Sequence, residues 1–170
     1  MTNKEFFIKT WGAEMERTLA AVRGLPTDMS KLDYRCHSKA RSASEIIGHM
    51  LSHAEAICNA VDTSIANEEN GKTFESIDEA ASYFEKYAKL LMEKLQSVDD
   101  KTWDDQIVEF RVNGNKVFAY PMMNIFWMFM FDIIHHRGQL STYYRSMGVR
   151  NPSIYGPTAE DMEAMAAASN

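Results

Sequence analysis

Phe131-Asp132-Ile133-Ile134-His135-His136-Arg137-Gly138-Gln139-Leu140 is the stretch on which the fold turns. It continues the apolar run Met122–Phe131, so the two read together as one long helix. On that helix Ile125, Phe129, Asp132, His136, Leu140 and Tyr143 share a face. Asp132 and His136 therefore stack at i and i+4 inside an apolar stripe, while His135 is rotated away by about 100°. A carboxylate in such a stripe is costly unless it is paired or bound to a metal ion. The first half of the helix is apolar almost all round, which predicts burial on several sides or a subunit contact.

Working outward, Pro121 suits the start of this helix and Gly148 its stop, giving a span from about Met122 to Met147. Just before it, Val108, Phe110 and Val112 alternate, Asn113-Gly114 follows, and then Val117-Phe118. Asn-Gly between two such runs predicts a small β-hairpin. Three earlier helices announce themselves by capping boxes: Thr2 with Glu5, Ser42 with Glu45, and Ser76 with Glu79. The first runs to Gly24-Leu25-Pro26. The second carries Ile46, Ile47, Met50, Ala54, Ile57, Cys58 and Val61 and fades in Asn67–Gly71. The third carries Tyr83, Phe84, Tyr87, Leu91 and Leu95. Residues 26–41 read as a connector, and a short last helix begins near Thr158. The predicted fold is all-α: a four-helix bundle with a small β-hairpin between helices three and four, in a single domain over residues 1–170.

Composition narrows the function. A net charge of −6 disfavours a general grip on phosphate backbones, so no nucleic-acid partner is expected. The apolar run ending at Phe131 is about half of the ~20 residues that a membrane span needs. No basic region followed by an apolar run opens the chain, so a cytoplasmic protein is expected. In that compartment Cys36 and Cys58 are expected as free thiols without a nucleophilic role.

Four of the five histidines fall in two clusters, His49/His53 and His135/His136. His49 and His53 repeat the i, i+4 spacing on helix two, His53 at the margin of its buried sector and His49 a little beyond. One or both, facing Asp132 and His136, would supply nitrogen and oxygen ligands for zinc, nickel or ferrous iron. The plainer reading is a salt bridge of Asp132 with His136 or an Arg, and His49 as a satisfied histidine at the core edge. Arg137 and Gln139 are expected to bond the ends of neighbouring helices rather than to line the site. Gly138 is expected to let another helix approach. Phe126, Trp127, Phe129 and Phe131 are expected in the core or at a dimer contact.

The string His135–Leu140, with Tyr143-Tyr144-Arg145, Ile154-Tyr155-Gly156-Pro157 and the upstream Glu45-Ile46-Ile47-Gly48-His49, resembles the DinB/YfiT-like family of metalloenzymes. The resemblance runs from helix one to Pro157. It implies a four-helix bundle with a divalent metal held by three histidines, one on helix two and two at i and i+4 on helix four. His49 and His136 match two of these. Asp132 stands where the commoner pattern has His, either as a ligand or as a group orienting His136. His53 is a further candidate ligand. Family members of known activity imply a metal-activated thiol transferase acting on a small molecule, with a low-molecular-weight thiol as partner. A hydrolase would use the same metal, with His53 or His135 as base. The alternative is a non-enzymatic, stress-related helical dimer or binding module whose cluster is structural or vestigial.

Overall fold

The computed structural model describes residues 1–168, so the last two positions of the expected 1–170 domain lie outside the described residues. The chain is mostly helical with a small three-stranded sheet. Its elements are α1 (Asn3–Arg23), α2 (Ala43–Thr63), β1 (Ile65–Glu68), α3 (Ile77–Ser97), α4 (Asp100–Asp105), β2 (Ile107–Val112), β3 (Asn115–Pro121), α5 (Met122–Ser141) and α6 (Ala159–Ala168). Among the described residues no helix is long and apolar enough to cross a membrane.

The helix starts follow from their caps. Thr2 and Ser42 each accept from the backbone N–H of a glutamate three residues on, and that glutamate reaches back to the cap N–H. Each satisfies donors that the first turn leaves free. Ser76 caps α3 by accepting from the Glu79 N–H. Helix α2 ends at Ser64, which takes a left-handed conformation at φ 58°.

The long helices α1, α2, α3 and α5 meet pairwise over one core. Phe7 and Trp11 of α1, Ile46, Met50 and Leu51 of α2, Phe84 and Leu91 of α3, and Phe126 and Phe129 of α5 are almost fully buried there. Each such side chain stabilises by about 1.5–3 kcal/mol relative to its exposure. The buried indole N–H of Trp11 donates to the Ala88 carbonyl at 3.1 Å. Phe126 and Phe129 thus lie in the core, Trp127 is half-buried, and Phe131 is 60% exposed.

Three local expectations are corrected. The sheet has a third strand: β1, where helix two was expected to fade, pairs parallel with β2, while β2 and β3 pair antiparallel. The β2–β3 turn holds Asn113 at φ 48° and Gly114 at φ 79°, the two positive φ values that favour Asn-Gly. Helix α5 stops at Ser141 rather than Met147. The hydroxyls of Ser141 and Thr142 bond back to the carbonyls of Gly138 and Gln139, offering the backbone an alternative to further helix. Gly138 faces solvent, and a methyl group there would meet nothing within 4 Å, so among the described residues no helix approaches it.

Gly48 shows the close approach instead. A methyl group on Gly48 would lie 1.9 Å from the Lys72 carbonyl oxygen. The segment leaving β1 crosses α2 at this point, and only a residue without a side chain admits it.

Candidate metal centre

Helices α2 and α5 pack face to face and bring both predicted pairs together. His49 and His53 sit one turn apart on α2, and Asp132 and His136 one turn apart on α5. The ligand atoms of all four lie within 4.8 Å of one another, a set that can hold a metal ion. Three Nε2 atoms converge on one oxygen, Asp132 Oδ2: His53 at 2.6 Å, His136 at 3.3 Å and His49 at 3.5 Å. Of these, only the His53 contact is a hydrogen bond.

The outer faces of two rings are held. His136 Nδ1–H donates to Gln139 Oε1 at 2.8 Å, and the Gln139 amide donates to His135 Nε2 at 3.0 Å. With its proton on Nδ1, His136 turns the lone pair of Nε2 towards Asp132. His49 Nδ1 lies 3.1 Å from Glu68 Oε1 on β1, close but poorly aligned for a hydrogen bond. His53 is 1% exposed and its Nδ1 has no partner. His53 Nε2–H can donate to the carboxylate, but a lone pair on His136 Nε2 repels it unless a proton or a cation lies between them. The donor set therefore fits a bound metal ion, and a carboxylate behind one of the imidazoles is the arrangement usual for metal-ligating histidines.

The cluster is a junction between two clefts. One, about 840 Å³, is lined by aromatic and apolar side chains including Phe110, Phe118, Met123 and Trp127. The other, about 950 Å³, is more polar and includes Lys39, Arg41 and Tyr143. Asp132 and His135 line both. The Asp132 side chain is 39% exposed, so the cluster opens to solvent on that side.

The family model for the DinB family matches residues 1–168. The chain belongs to the DinB family. Two solved structures share the DinB fold. A DinB-like protein from Bacillus cereus superposes with a TM-score of 0.70 at 21% identity, covering 89% of this chain and 97% of its own. A DinB-like protein from Bacillus subtilis gives 0.65 at 16%, covering 89% and 99%. A comparison with curated proteins gives no match.

In this DinB-family chain the electrostatics follow from crowding. Burial alone would raise the Asp132 carboxyl, but the imidazoles of His136, His49 and His53 outweigh it and hold it well below the usual carboxylate range. Burial opposes charge on His49, yet Asp132 and Glu68 outweigh it and push its pKa up. Burial dominates at His53 and pushes its pKa down, which favours the neutral, metal-binding form. Contact with His49 holds Glu68 low.

Each residue named from the sequence now has a place. His49, His53, Asp132 and His136 are brought together. His135 stands exposed at the rim, lining both clefts. Cys36 and Cys58 are free thiols, and Cys36 lies beside Tyr143 Oη at 3.3 Å. Arg137 points away from the cluster. The residue is 2% exposed and its guanidinium meets Glu14, Thr18 Oγ1 at 3.0 Å and Tyr155 Oη, so its role is structural, but it bonds the middle of α1 rather than the end of a helix. Gln139 does not bond a neighbouring helix, because its amide turns onto His136 and His135. Glu68 had no sequence signal: a four-residue strand brings it in. Gln139 had one, since i+3 from His136 places it on the ligand's own face.

Proposed function

We propose that this chain is a divalent-metal-dependent enzyme acting on a small molecule, with thiol transfer the first activity to test and hydrolysis the second. The reading takes α1, α2, α3 and α5 as a four-helix bundle carrying the β2–β3 hairpin, a layout in which metal sites lie between facing helices. The observation that carries it is the convergence of three imidazole Nε2 atoms on Asp132 Oδ2 at the junction of two open clefts. His49, Asp132 and His136 would hold the ion, with His53 as the fourth ligand. Nitrogen and oxygen donors in this mix suit zinc or nickel and accept ferrous iron. When bound, such an ion lowers the pKa of a coordinated thiol or water and so supplies a nucleophile at neutral pH.

The chain's own residues do the rest. Gln139 keeps the His136 proton on Nδ1 and leaves Nε2 free to bind. Glu68 on β1, 3.1 Å from His49 Nδ1, favours a proton on that nitrogen by its charge. The apolar cleft lines one side of the centre with aromatic side chains, and a substrate filling it would exclude water and strengthen the electrostatics there. His135 is exposed on both clefts and is the group placed to accept a proton from substrate in a hydrolytic reaction. Two free cysteines fit a reducing compartment, and on this reading the enzyme is cytoplasmic.

One observation favours the second reading, a helical dimer or binding module. Phe6, Trp127 and Phe131 form an aromatic row with centroid spacings of 5.5 Å, and Phe6 and Phe131 are exposed. The same row would serve an enzyme that is a homodimer.

The test is metal content by elemental mass spectrometry on untagged protein purified without added metal or chelator. Near-stoichiometric zinc or nickel in the wild type, lost in His49→Ala, Asp132→Ala and His136→Ala, is the expected result, and thiol-transfer assays then follow. Loss in the histidine variants alone makes Asp132 an orienting group. No metal in the wild type even after refilling sinks the enzyme reading.

A further inference from the structure

We infer that the ligand of this site is an amphipathic organic anion. Its planar apolar part lies in the aromatic cleft, and its oxyanion docks on Lys39 and Arg41 across the His/Asp cluster. This rests on the metal-enzyme reading for where the molecule reacts, but not for where it binds.

The aromatic cleft takes the apolar part of the ligand. Its volume of about 840 Å³ falls in the range that encloses a small organic molecule. Phe110 and Phe118 of the sheet lie 4.9 Å apart with their rings tilted by 36°, and Phe110 meets Phe129 edge-on at 5.6 Å. These faces and edges accept a flat ring in the arrangements that aromatic pairs prefer.

The polar cleft takes the oxyanion. The chain carries a net −6, yet Lys39 and Arg41 line the polar cleft beside His49 without a salt bridge. The nearby carboxylates are already engaged. Glu45 accepts from the Ser42 N–H at 2.6 Å and pairs with Arg35 at 3.4 Å. Glu68 faces His49, and Asp132 faces three imidazoles. Among the described residues neither cation makes a salt bridge, Arg41 acting on Glu45 only at longer range, and a guanidinium matches a carboxylate or phosphate in two-pronged fashion. Because Asp132 and His135 line both clefts, one molecule bound in each passes the metal centre.

The probe is 8-anilino-1-naphthalenesulfonate, an aromatic sulfonate, set against its uncharged analogue N-phenyl-1-naphthylamine. Both are titrated by fluorescence into metal-free and zinc-loaded full-length protein. The expected result is saturable one-to-one binding, tighter for the sulfonate. Lys39→Gln/Arg41→Gln weakens the sulfonate about tenfold and leaves the uncharged probe unchanged. Phe118→Ser weakens both, and Met123→Gln repeats that result should Phe118→Ser misfold. Displacement by 3-phenylpropionate or by phenyl phosphate shows which oxyanion the site takes, and displacement by neither overturns the assignment. So does an unchanged sulfonate affinity in the double variant. Zinc content of each protein is measured in parallel. Absent zinc with the expected probe pattern sinks the metal reading and supports the ligand assignment. Normal zinc with no effect of either substitution does the reverse.

Discussion

Helix α5 carries two polar clusters on adjacent residues, and they are opposites. His136 joins the open His/Asp group, while Arg137 joins a closed one with Glu14, Thr18 and Tyr155. In the closed cluster the balance is complete. Arg137 and Glu14 are 2% and 7% exposed, their charges cancel, and the Tyr155 hydroxyl donates to Glu14 Oε2 at 2.7 Å. In the open cluster the His136 lone pair faces a carboxylate, and two buried nitrogens, His49 Nδ1 and His53 Nδ1, have no hydrogen-bond partner among the described residues. Buried polar groups that satisfy one another hold a fold together, whereas a set left short of a cation is arranged for one.

The largest expected effect breaks the closed side. Arg137→Ala leaves the Glu14 carboxylate with only Arg17 and the Tyr155 hydroxyl, and costs about 3 kcal/mol in urea denaturation. Asp132→Ala in metal-free protein costs under about 1 kcal/mol, because that carboxylate is half-exposed. Equal costs would erase the distinction between the clusters. Next comes the open side with metal present. Zinc at 100 times its dissociation constant stabilises wild type by about 2.7 kcal/mol, and His136→Ala abolishes the gain while folding normally by circular dichroism. A gain that survives in the variant removes His136 from the ligands.

A smaller effect sharpens the role of Glu68. Glu68→Gln is expected to weaken zinc about 10–100-fold in a competition titration with a chromophoric chelator. An unchanged affinity makes its contact with His49 incidental. The smallest effect separates the clusters by pH. Burial raises the Glu14 carboxyl, but Arg137, Tyr155 and Arg17 outweigh it, so its folded pKa lies below the ordinary value of 4.5. The unfolded chain then takes up its proton first. The stabilisation is complete above about 4.5 and declines as pH falls through the folded value. Urea midpoints measured from about pH 7 to about pH 3 will show this decline in wild type, flattened in Arg137→Met. Parallel curves would mean that Glu14 is not the group responsible.

What the sequence carried and what it hid divide along physical lines. Capping boxes at Thr2 and Ser42 and the Asn113-Gly114 turn are local, so each is legible from a few neighbours. The Asp132/His136 and His49/His53 pairs are legible because helical periodicity is local too. Strand β1 was not, because it exists by pairing with β2 over 40 residues away, and its four residues have no pattern of their own. Glu68 was hidden with it. The end of α5 was missed because hydroxyl groups, not a glycine, terminate it.

Gly48 draws these threads to one position. It has no side chain to bind a metal or carry a charge, yet the crossing of Lys72 over α2 depends on its bareness. The same short segment carries Glu68 to His49. A mutational screen for lost metal binding should therefore return this silent position alongside the histidines, and a survey confined to polar residues would pass over it.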